Sequence, residues 1–544
     1  MLARVAAAEG SGACFALMGD ANMHFATRLG AAGIRMIHVR HEHCAVAAAM
    51  AYARKSGEVG LATVTCGPGL TQLMTALPAA VRAHIPMVVL AGEAPLKAGW
   101  YNQGIDQAPL VLATGAAYLP LHAPARMPVA LRDAFLMARR ERRPVVVGVP
   151  FDLQQLPWDE GDRLPEPSSA LLPKPRPAPP HPDDAKDAAA LVGRARPLAV
   201  MAGMGAAEAG AGPACRALAE RCDALLATTL PARGLFHDDP FSIGIAGGFS
   251  TDVARACFAE ADLVVAVGAS LAQHNSDAGK LWPRARLLQI DLDPVAVAQG
   301  RVAASAHLRA DARLGSEALT ALLPARPADW RGAGLARRIA TAPADAASFP
   351  PEPGLHDPRD AVAALDAAIP PGWQLVNSSG HCSYFFAQMP RRPQPEFLTI
   401  REFGAIGNGI SFAMGVAVAR PDMPVVLFDG DGSLLMHVQE LETIQRHRLN
   451  ILIVVFNDGG YGSEFHKLRA EAMPDAGAVF GRTDLAAIAR GFGIGGETVA
   501  DLAALPGLLA EFAASGGAAV WDVPVSDKVM SPVVRRAHGP GKAH

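Results

Sequence analysis

The sequence predicts an α/β protein made of three doubly wound parallel-sheet domains. Three observations carry that expectation. Short β-branched runs alternate with alanine-rich helical stretches, the pattern of parallel strand–helix–strand units. The runs end at Gly, Asp or Asn clusters, where strands turn into loops. At 544 residues the chain is too long for one core, and two proline-dense stretches divide it.

Taken in order, "GLATVTC", "PMVVLAG" and "PVVVGVP" read as buried strands of an N-terminal domain over residues 1–163. "LPEPSSALLPKPRPAPPHPDD" (Leu164–Asp184) reads as an extended linker. "DLVVAVGA" and "RLLQIDLD" belong to a middle domain over 185–325. A looser break spans Leu323–Pro358, with the linker proper at 326–355. "MPVVLFDGDG" and "NILIVVFND" place a C-terminal domain at 356–530, followed by a tail over 531–544. In such sheets ligands bind at the C-terminal ends of the strands.

Composition narrows the function classes. Half the residues are hydrophobic and 19% are charged, as in soluble globular proteins. A net charge of −3 gives no electrostatic case for binding nucleic acid or an anionic membrane. The longest apolar runs, such as "ILIVVF" (Ile451–Phe456), are far too short to span a bilayer. The opening "MLARVAAAEGSGACF" has no secretory h-region before its polar break. Seven cysteines are scattered with no CxxC pair, which predicts free, mostly buried thiols in a reducing cytoplasm.

The strongest chemical signal is "VVLFDGDGSLLMHVQELETIQRHRLNILIVVFNDGGYGSEFHKL". A buried strand runs out into Gly430-Asp431-Gly432-Ser433, where glycines let backbone N–H groups approach an anion. An aspartate among such amides suggests a hard cation bridging phosphate and protein. A second strand ends in Asn457-Asp458-Gly459-Gly460, 27 residues after Asp431 by position. That spacing is one strand–helix–strand unit, so both carboxylates fall at one sheet edge. Either turn alone is ordinarily a capped turn; the pair at this spacing is not. A second signal is "HVRHEHCAVAAAMAYARKSG", where Glu42 opens an alanine-rich helix that should be buried. A carboxylate there is costly unless something needs it, although an isolated helix-start Glu is ordinarily a cap.

Together these stretches resemble the motifs of thiamine-diphosphate enzymes of the acetolactate synthase, pyruvate decarboxylase and benzoylformate decarboxylase type. The resemblance implies a pyrimidine-binding N-terminal domain, a Rossmann-like middle domain and a diphosphate-binding C-terminal domain. By it, Asp431, Asp458 and the Gly460 carbonyl ligate Mg²⁺, with Asp458 where the family usually has Asn. Gly430, Gly432, Ser433 and Tyr461 would border the diphosphate. "RHEHCAVAAAMAYARKSG" and "GLATVTCGPGLTQ" resemble the family's N-terminal motif, so Glu42 would hydrogen-bond the aminopyrimidine and promote ylid formation. "REFGAIGNGISFAMGVAVA" resembles the turn that props the bent cofactor, giving Ile406 the propping role and the Gly404 carbonyl a bond to the 4′-amino group. Ser411 stands where the family often has Pro. "VNSSGHC" resembles the segment over the diphosphate, which assigns His381. "WYNQGID" resembles a Phe-Gln segment that puts Gln103 near the substrate.

The middle domain carries Gly203-x-Gly205 in "AVMAGMGAAEAGAG", weak evidence for a dinucleotide site. The arginine pair of the family's flavin-binding members is missing, so a middle domain without FAD is expected. The resemblance implies a thiamine-diphosphate- and Mg²⁺-dependent 2-oxo acid decarboxylase or carboligase. CO₂ leaves, and the enamine is either protonated or added to an aldehyde or ketone acceptor. An acetolactate synthase-like catalytic subunit is the alternative; a Rossmann oxidoreductase would leave Glu42, Asp431 and Asp458 unexplained, and retention of Glu42 argues against a non-catalytic homologue. Asp20, in "ALMGDANMHF", and Glu464 match carboxylates of pyruvate decarboxylases and are expected, partly buried, to serve proton delivery. The paired histidines of those decarboxylases are absent. The family's site forms between subunits, implying a homodimer at minimum and, beyond it, a homotetramer.

Overall fold

A computed structural model of the chain describes residues 1–157, 163–174, 176–293, 302–390 and 392–538. It contains three six-stranded sheets in which every strand pairing is parallel. The first is formed by β1 (Ala13–Ala16), β2 (Arg35–His38), β3 (Gly60–Val64), β4 (Met87–Glu93), β5 (Ala117–Pro120) and β6 (Pro144–Pro150), in the order β2-β1-β3-β4-β6-β5. The second is formed by β7 (Leu198–Ala202), β8 (Leu225–Thr228), β9 (Ser242–Ile245), β10 (Leu263–Val267), β11 (Arg286–Asp291) and β12 (Ala306–Arg309), in the order β12-β11-β10-β7-β8-β9. The third is formed by β13 (Gln374–Asn377), β14 (Phe397–Thr399), β15 (Val425–Gly430), β16 (Ile451–Asn457), β17 (Gly495–Thr498) and β18 (Ala519–Pro524), in the order β14-β13-β15-β16-β18-β17.

The first and third sheets thus share one strand permutation, while the middle sheet has the Rossmann order. All of β3, β6 and β16 is buried, which is why they read as unbroken apolar runs rather than alternating ones.

The middle domain keeps its own cores on the two faces of its sheet. The outer domains instead share one core, which contains Ala45–Ala53 of the first and Ile410, Phe412–Met414 and Val416–Val418 of the third. The helix Glu42–Ser56 lies against the helix Gly409–Ala419. Their backbones approach so closely that a Cβ on Gly415 would stand 2.1 Å from the Ala48 carbonyl oxygen. The alanine run is therefore a close-packing surface, and it explains why so small a set of side chains is fully buried.

Both expected linkers hold more structure than their composition suggests. The proline-dense stretch contains a short helix, Ser168–Leu171, and the helix Pro182–Arg194 starts within it. Ser168 is buried because its N–H (3.0 Å) and hydroxyl (2.5 Å) both donate to the carboxylate of Glu9, which follows the helix Leu2–Ala8. The second break contains the helix Ala333–Thr341, whose Leu335 and Ile339 pack with Trp330 onto the middle domain. In the tail, Pro532–His538 is helical, while 539–544 lie outside the described residues. All seven cysteines are free and buried. Among the described residues no helix is long and apolar enough to cross a membrane.

Gly415→Val should lower the thermal unfolding midpoint clearly, since overpacking a filled contact costs about 1–3 kcal/mol. Gly334→Ala, in a helix where an added Cβ meets nothing within 4 Å, should not lower it. Differential scanning calorimetry of the two variants checks the contrast.

Candidate active site

β15 and β16 are neighbours, and their register sets Gly430 opposite Phe456. The two motif loops therefore leave the same sheet edge side by side. Asp431, 1% exposed, opens the helix Asp431–Met436. Its Oδ1 accepts from the N–H of Gly432 and its Oδ2 from the N–H of Gly459, both at 2.9 Å. One carboxylate thereby laces the first loop to the second. Burial raises Asp431 above the usual carboxylate range, and burial together with the Asp431 charge raises Asp458 well above it. Two buried carboxyl groups that repel each other favour a cation between them.

Glycine is required at both loops. A Cβ on Gly432 would stand 2.8 Å from the Tyr461 ring, and one on Gly460 2.5 Å from the Ala478 carbonyl oxygen. Gly462 has the same constraint: its Cβ would lie 2.6 Å from Asp458 Oδ2. The backbone at these positions borders a cleft open to solvent.

That cleft gathers most of the residues anticipated from sequence. Gly430, Asp431, Gly432 and Ser433 form one wall; Asp458, Gly460, Tyr461 and Glu464 form another; His381 and Ile406 complete it. His381 Nε2 accepts a hydrogen bond from the Ser531 N–H at 2.9 Å, and burial lowers its pKa. A neutral imidazole that accepts at Nε2 must carry its proton on Nδ1. That nitrogen is on the side of Gly462, 3.2 Å from where a Cβ there would be. His381 thus presents a fixed N–H donor. Ser433 Oγ accepts from the Gly407 N–H at 2.9 Å, tying the turn just after Ile406 to the motif helix. Gly404 is exposed with φ +73°, in the left-handed region that favours glycine.

Glu464 departs from the expectation of a partly buried acid. Its side chain is 58% exposed at the cleft mouth, 3.7 Å from Lys467 on the next helical turn. Asp20 is exposed too. Neither sits in an apolar pocket.

Glu42, Asp20 and Gln103 do not line this cleft. They lie at the C-terminal edge of the first sheet. The Cys66 thiol contacts the Gln103 carbonyl at 3.5 Å and feels the charges of Glu93 and Asp20. Glu42 Oε1 is 3.4 Å from a Cβ position on Gly69, three residues beyond Cys66. Glu42 is the first residue of its helix, His41 caps that helix through Nδ1, and burial raises the Glu42 pKa.

The C-terminal domain holds the Glu42 turn from the other side. Glu440, fully buried, accepts from the Arg40 N–H at 2.9 Å. Arg40 pairs with Glu442 at 2.6 Å, and His43 Nε2 meets Asn408 Oδ1 at 2.5 Å. Sequence reasoning missed these residues, because their partners lie hundreds of positions away. It also passed over Asp429, although it stands in the quoted "FDGDG". Asp429 is fully buried on β15, burial pushes it up to about 7, and its Oδ2 lies 2.6 Å from a Cβ position on Gly409. In the middle domain, Gly203 and Gly205 face the Gly268 turn, whose carbonyl oxygen is 2.2 and 3.0 Å from their Cβ positions. Close backbone packing accounts for that glycine pair.

Comparison with known proteins agrees with this geometry. Residues 1–110 match the N-terminal TPP binding domain of thiamine pyrophosphate enzymes, 185–322 their central domain and 378–523 their C-terminal TPP binding domain. The chain is 31% identical over 484 residues to the acetolactate synthase large subunit of Parasynechococcus marenigrum, covering 86% of this chain and 77% of that one. It is 29% identical to a probable acetolactate synthase large subunit of Methanocaldococcus jannaschii, covering 84% and 79%. It is also 29% identical to a putative acetolactate synthase large subunit of Mycobacterium tuberculosis, covering 92% of both. With three domains in family order and both motif loops at one sheet edge, the chain belongs to the thiamine pyrophosphate enzymes and has thiamine-diphosphate-dependent chemistry of the decarboxylase–carboligase type.

Proposed function

We propose that the protein is a Mg²⁺-dependent carboligase that removes CO₂ from a 2-oxo acid and joins the remaining acyl unit to a second carbonyl compound, as in acetolactate synthesis. The observation that carries the reading is the Asp431 carboxylate bridging the Gly432 and Gly459 N–H groups, with Asp458 beside it. The likeness to acetolactate synthase subunits favours carboligation over aldehyde release.

The residues present fit a metal–diphosphate group. Among the described residues, no cluster of three or more His, Cys, Asp or Glu side chains is placed to hold a metal ion. Two carboxylates and the Gly460 carbonyl leave a coordination sphere that phosphate oxygens would complete, so metal and diphosphate should bind as one unit. Asp431 and Asp458 would hold the Mg²⁺. Gly430, Gly432, Ser433 and Tyr461 would border the diphosphate, and His381 Nδ1–H would donate to it. Ile406 and the Gly404 carbonyl would orient the pyrimidine. Bound thiamine diphosphate supplies the carbon nucleophile and the electron sink for loss of CO₂. Glu42 would hold a proton at the pyrimidine ring nitrogen, and its raised pKa suits that role. Gln103 and Asp20 would face the substrate.

Because Glu42 does not line the cleft of its own chain, a second copy is needed to bring it there. The segment beside Gln103 supports a covered surface, with Trp100 80%, Leu96 52% and Ile105 50% exposed. A homodimer is the minimum assembly and a homotetramer a pairing of such dimers. Free buried thiols support a cytoplasmic setting. The middle domain is read as lacking flavin, its glycine pair being taken up by packing.

Glu42→Gln should fold and bind thiamine diphosphate while activity on 2-oxo acids falls about a hundred- to ten-thousandfold, the usual range for a lost acid–base group. Steady-state product formation checks this, and activity near wild type would remove Glu42 from the mechanism. In the wild type, thiamine diphosphate and Mg²⁺ together should raise the unfolding temperature, with a gain of about 2.7 kcal/mol at a hundredfold excess over Kd. Asp431→Ala should abolish that joint stabilisation. If the cofactor stabilises the variant and the wild type equally, Asp431 is not a metal ligand.

A further inference from the structure

Ile406, on the cleft wall, stands in a loop that passes through the left-handed region at Gly404 (φ +73°) and again at Gly407 (φ +85°). Both backbone groups of Gly407 are gripped from one segment. Its N–H donates to Ser433 Oγ, and its carbonyl oxygen accepts from His437 Nδ1, each at 2.9 Å. His437 is the residue just after the helix Asp431–Met436 and is 7% exposed. The approach is close. A Cβ on Gly407 would stand 3.0 Å from His437 Nδ1 and 3.2 Å from the Met436 side chain.

Two further histidines, one on each side of Glu42, hold the His437 ring. His43 lies parallel to it, with centroids 4.9 Å apart and 7° between the planes, and His41 meets it edge-on at 5.1 Å. His43 is itself tied through Nε2 to Asn408 Oδ1 at 2.5 Å. Burial lowers the pKa of His43 and of His437 and so keeps both neutral, and a neutral imidazole has one N–H to give. A carbonyl oxygen can only accept, so the His437 proton sits on Nδ1 and is directed at Gly407. Packing alone does not call for a donor at this position, because an apolar side chain would fill the same space. The donor is aimed at the residue that follows Ile406.

We propose that His437 is a positioning residue: its Nδ1–H holds the Gly407 carbonyl and thereby fixes where Ile406 stands in the cleft. This role rests on that of Ile406 in the function proposed above. His437 does not itself line the cleft. The Asp431 and Asp458 loops would therefore hold metal and diphosphate whether or not the Gly407 carbonyl is gripped, whereas Ile406 would orient the pyrimidine. Loss of the grip should slow turnover far more than it weakens cofactor binding.

The test uses the full-length protein with thiamine diphosphate and Mg²⁺ added, comparing the wild type with His437→Asn, His437→Gln and His437→Leu. Asparagine carries its amide nitrogen one bond beyond Cγ, where imidazole carries Nδ1; glutamine carries it one bond further out, and leucine has no donor. The kcat on a 2-oxo acid should fall about tenfold in the Leu and Gln variants, the upper end for loss of one neutral hydrogen bond, and less than about threefold in the Asn variant. The Kd for thiamine diphosphate, read by calorimetry, should stay within about threefold of the wild type in all of them. Amide hydrogen exchange over residues 404–409 of the cofactor-free protein reads the loop without turnover. It should be faster in the Leu and Gln variants and close to the wild type in the Asn variant. A space-filling role would rank the variants the other way, since glutamine is nearer to histidine in size than asparagine is. The proposal is overturned if the Gln variant outperforms the Asn variant, if Asn fares no better than Leu, or if exchange over 404–409 is the same in all four proteins. It is also overturned if kcat is kept and the Kd for thiamine diphosphate rises instead, because His437 then serves cofactor binding. If the wild type itself fails to bind thiamine diphosphate, the proposed function falls, and the exchange comparison still decides whether His437 holds the loop.

Discussion

The contact between the helices Glu42–Ser56 and Gly409–Ala419 governs the rest of the molecule. Alanines on one side and Gly415 on the other let two backbones meet, with room for no Cβ at the closest point. This merges the first and third domains into one core and fixes where both helices begin. Glu42 stands at the start of one. Asn408, just after the Gly404–Gly407 loop, stands at the start of the other, and His43 joins them through Asn408. The middle domain, with separate cores, does not share in this arrangement.

Shared strand order in the first and third sheets gives the fused pair an internal likeness that the sequence does not display. It also gives a physical reason for a two-copy assembly. Within one chain the Glu42 turn is held by Glu440, Glu442 and Asn408, on a side of the C-terminal domain that does not open into the Asp431 cleft. The Glu42 carboxylate is thus positioned firmly but away from the Asp431 and Asp458 loops of its own chain. In the proposed assembly, a closed two-fold pair would supply each cleft with the other copy's Glu42 turn.

What the sequence made legible was local. Strands buried on both faces are continuous apolar runs, and β3, β6 and β16 could be read as such. That the Asp431 and Asp458 loops share one sheet edge was legible because their spacing is one strand–helix–strand unit. The interactions that turn those loops into a site were not. The Asp431–Gly459 bond, the Ser531–His381 bond that fixes an imidazole tautomer, and the Glu440–Arg40 bond join residues distant in sequence. No periodicity reports them. Exposure of Glu464 was hidden for a similar reason, since the Lys467 that pairs with it is informative only once the helix faces solvent. The proline-rich breaks misled in the other direction. Composition suggested extended chain, whereas Glu9 draws Ser168 into a buried pair of hydrogen bonds.

The central claim is that a working site joins the Asp431 loop of one copy to the Glu42 turn of another. Coexpressing the Glu42→Gln and Asp431→Ala chains, purifying the mixed assembly through two different tags and measuring its activity tests this most directly. Each variant alone is inactive, but a mixed dimer holds one site with both residues intact. The account predicts activity in the mixed assembly and none in either parent. A mixed assembly as inactive as its parents would place Glu42 and Asp431 in the same chain's site and contradict it.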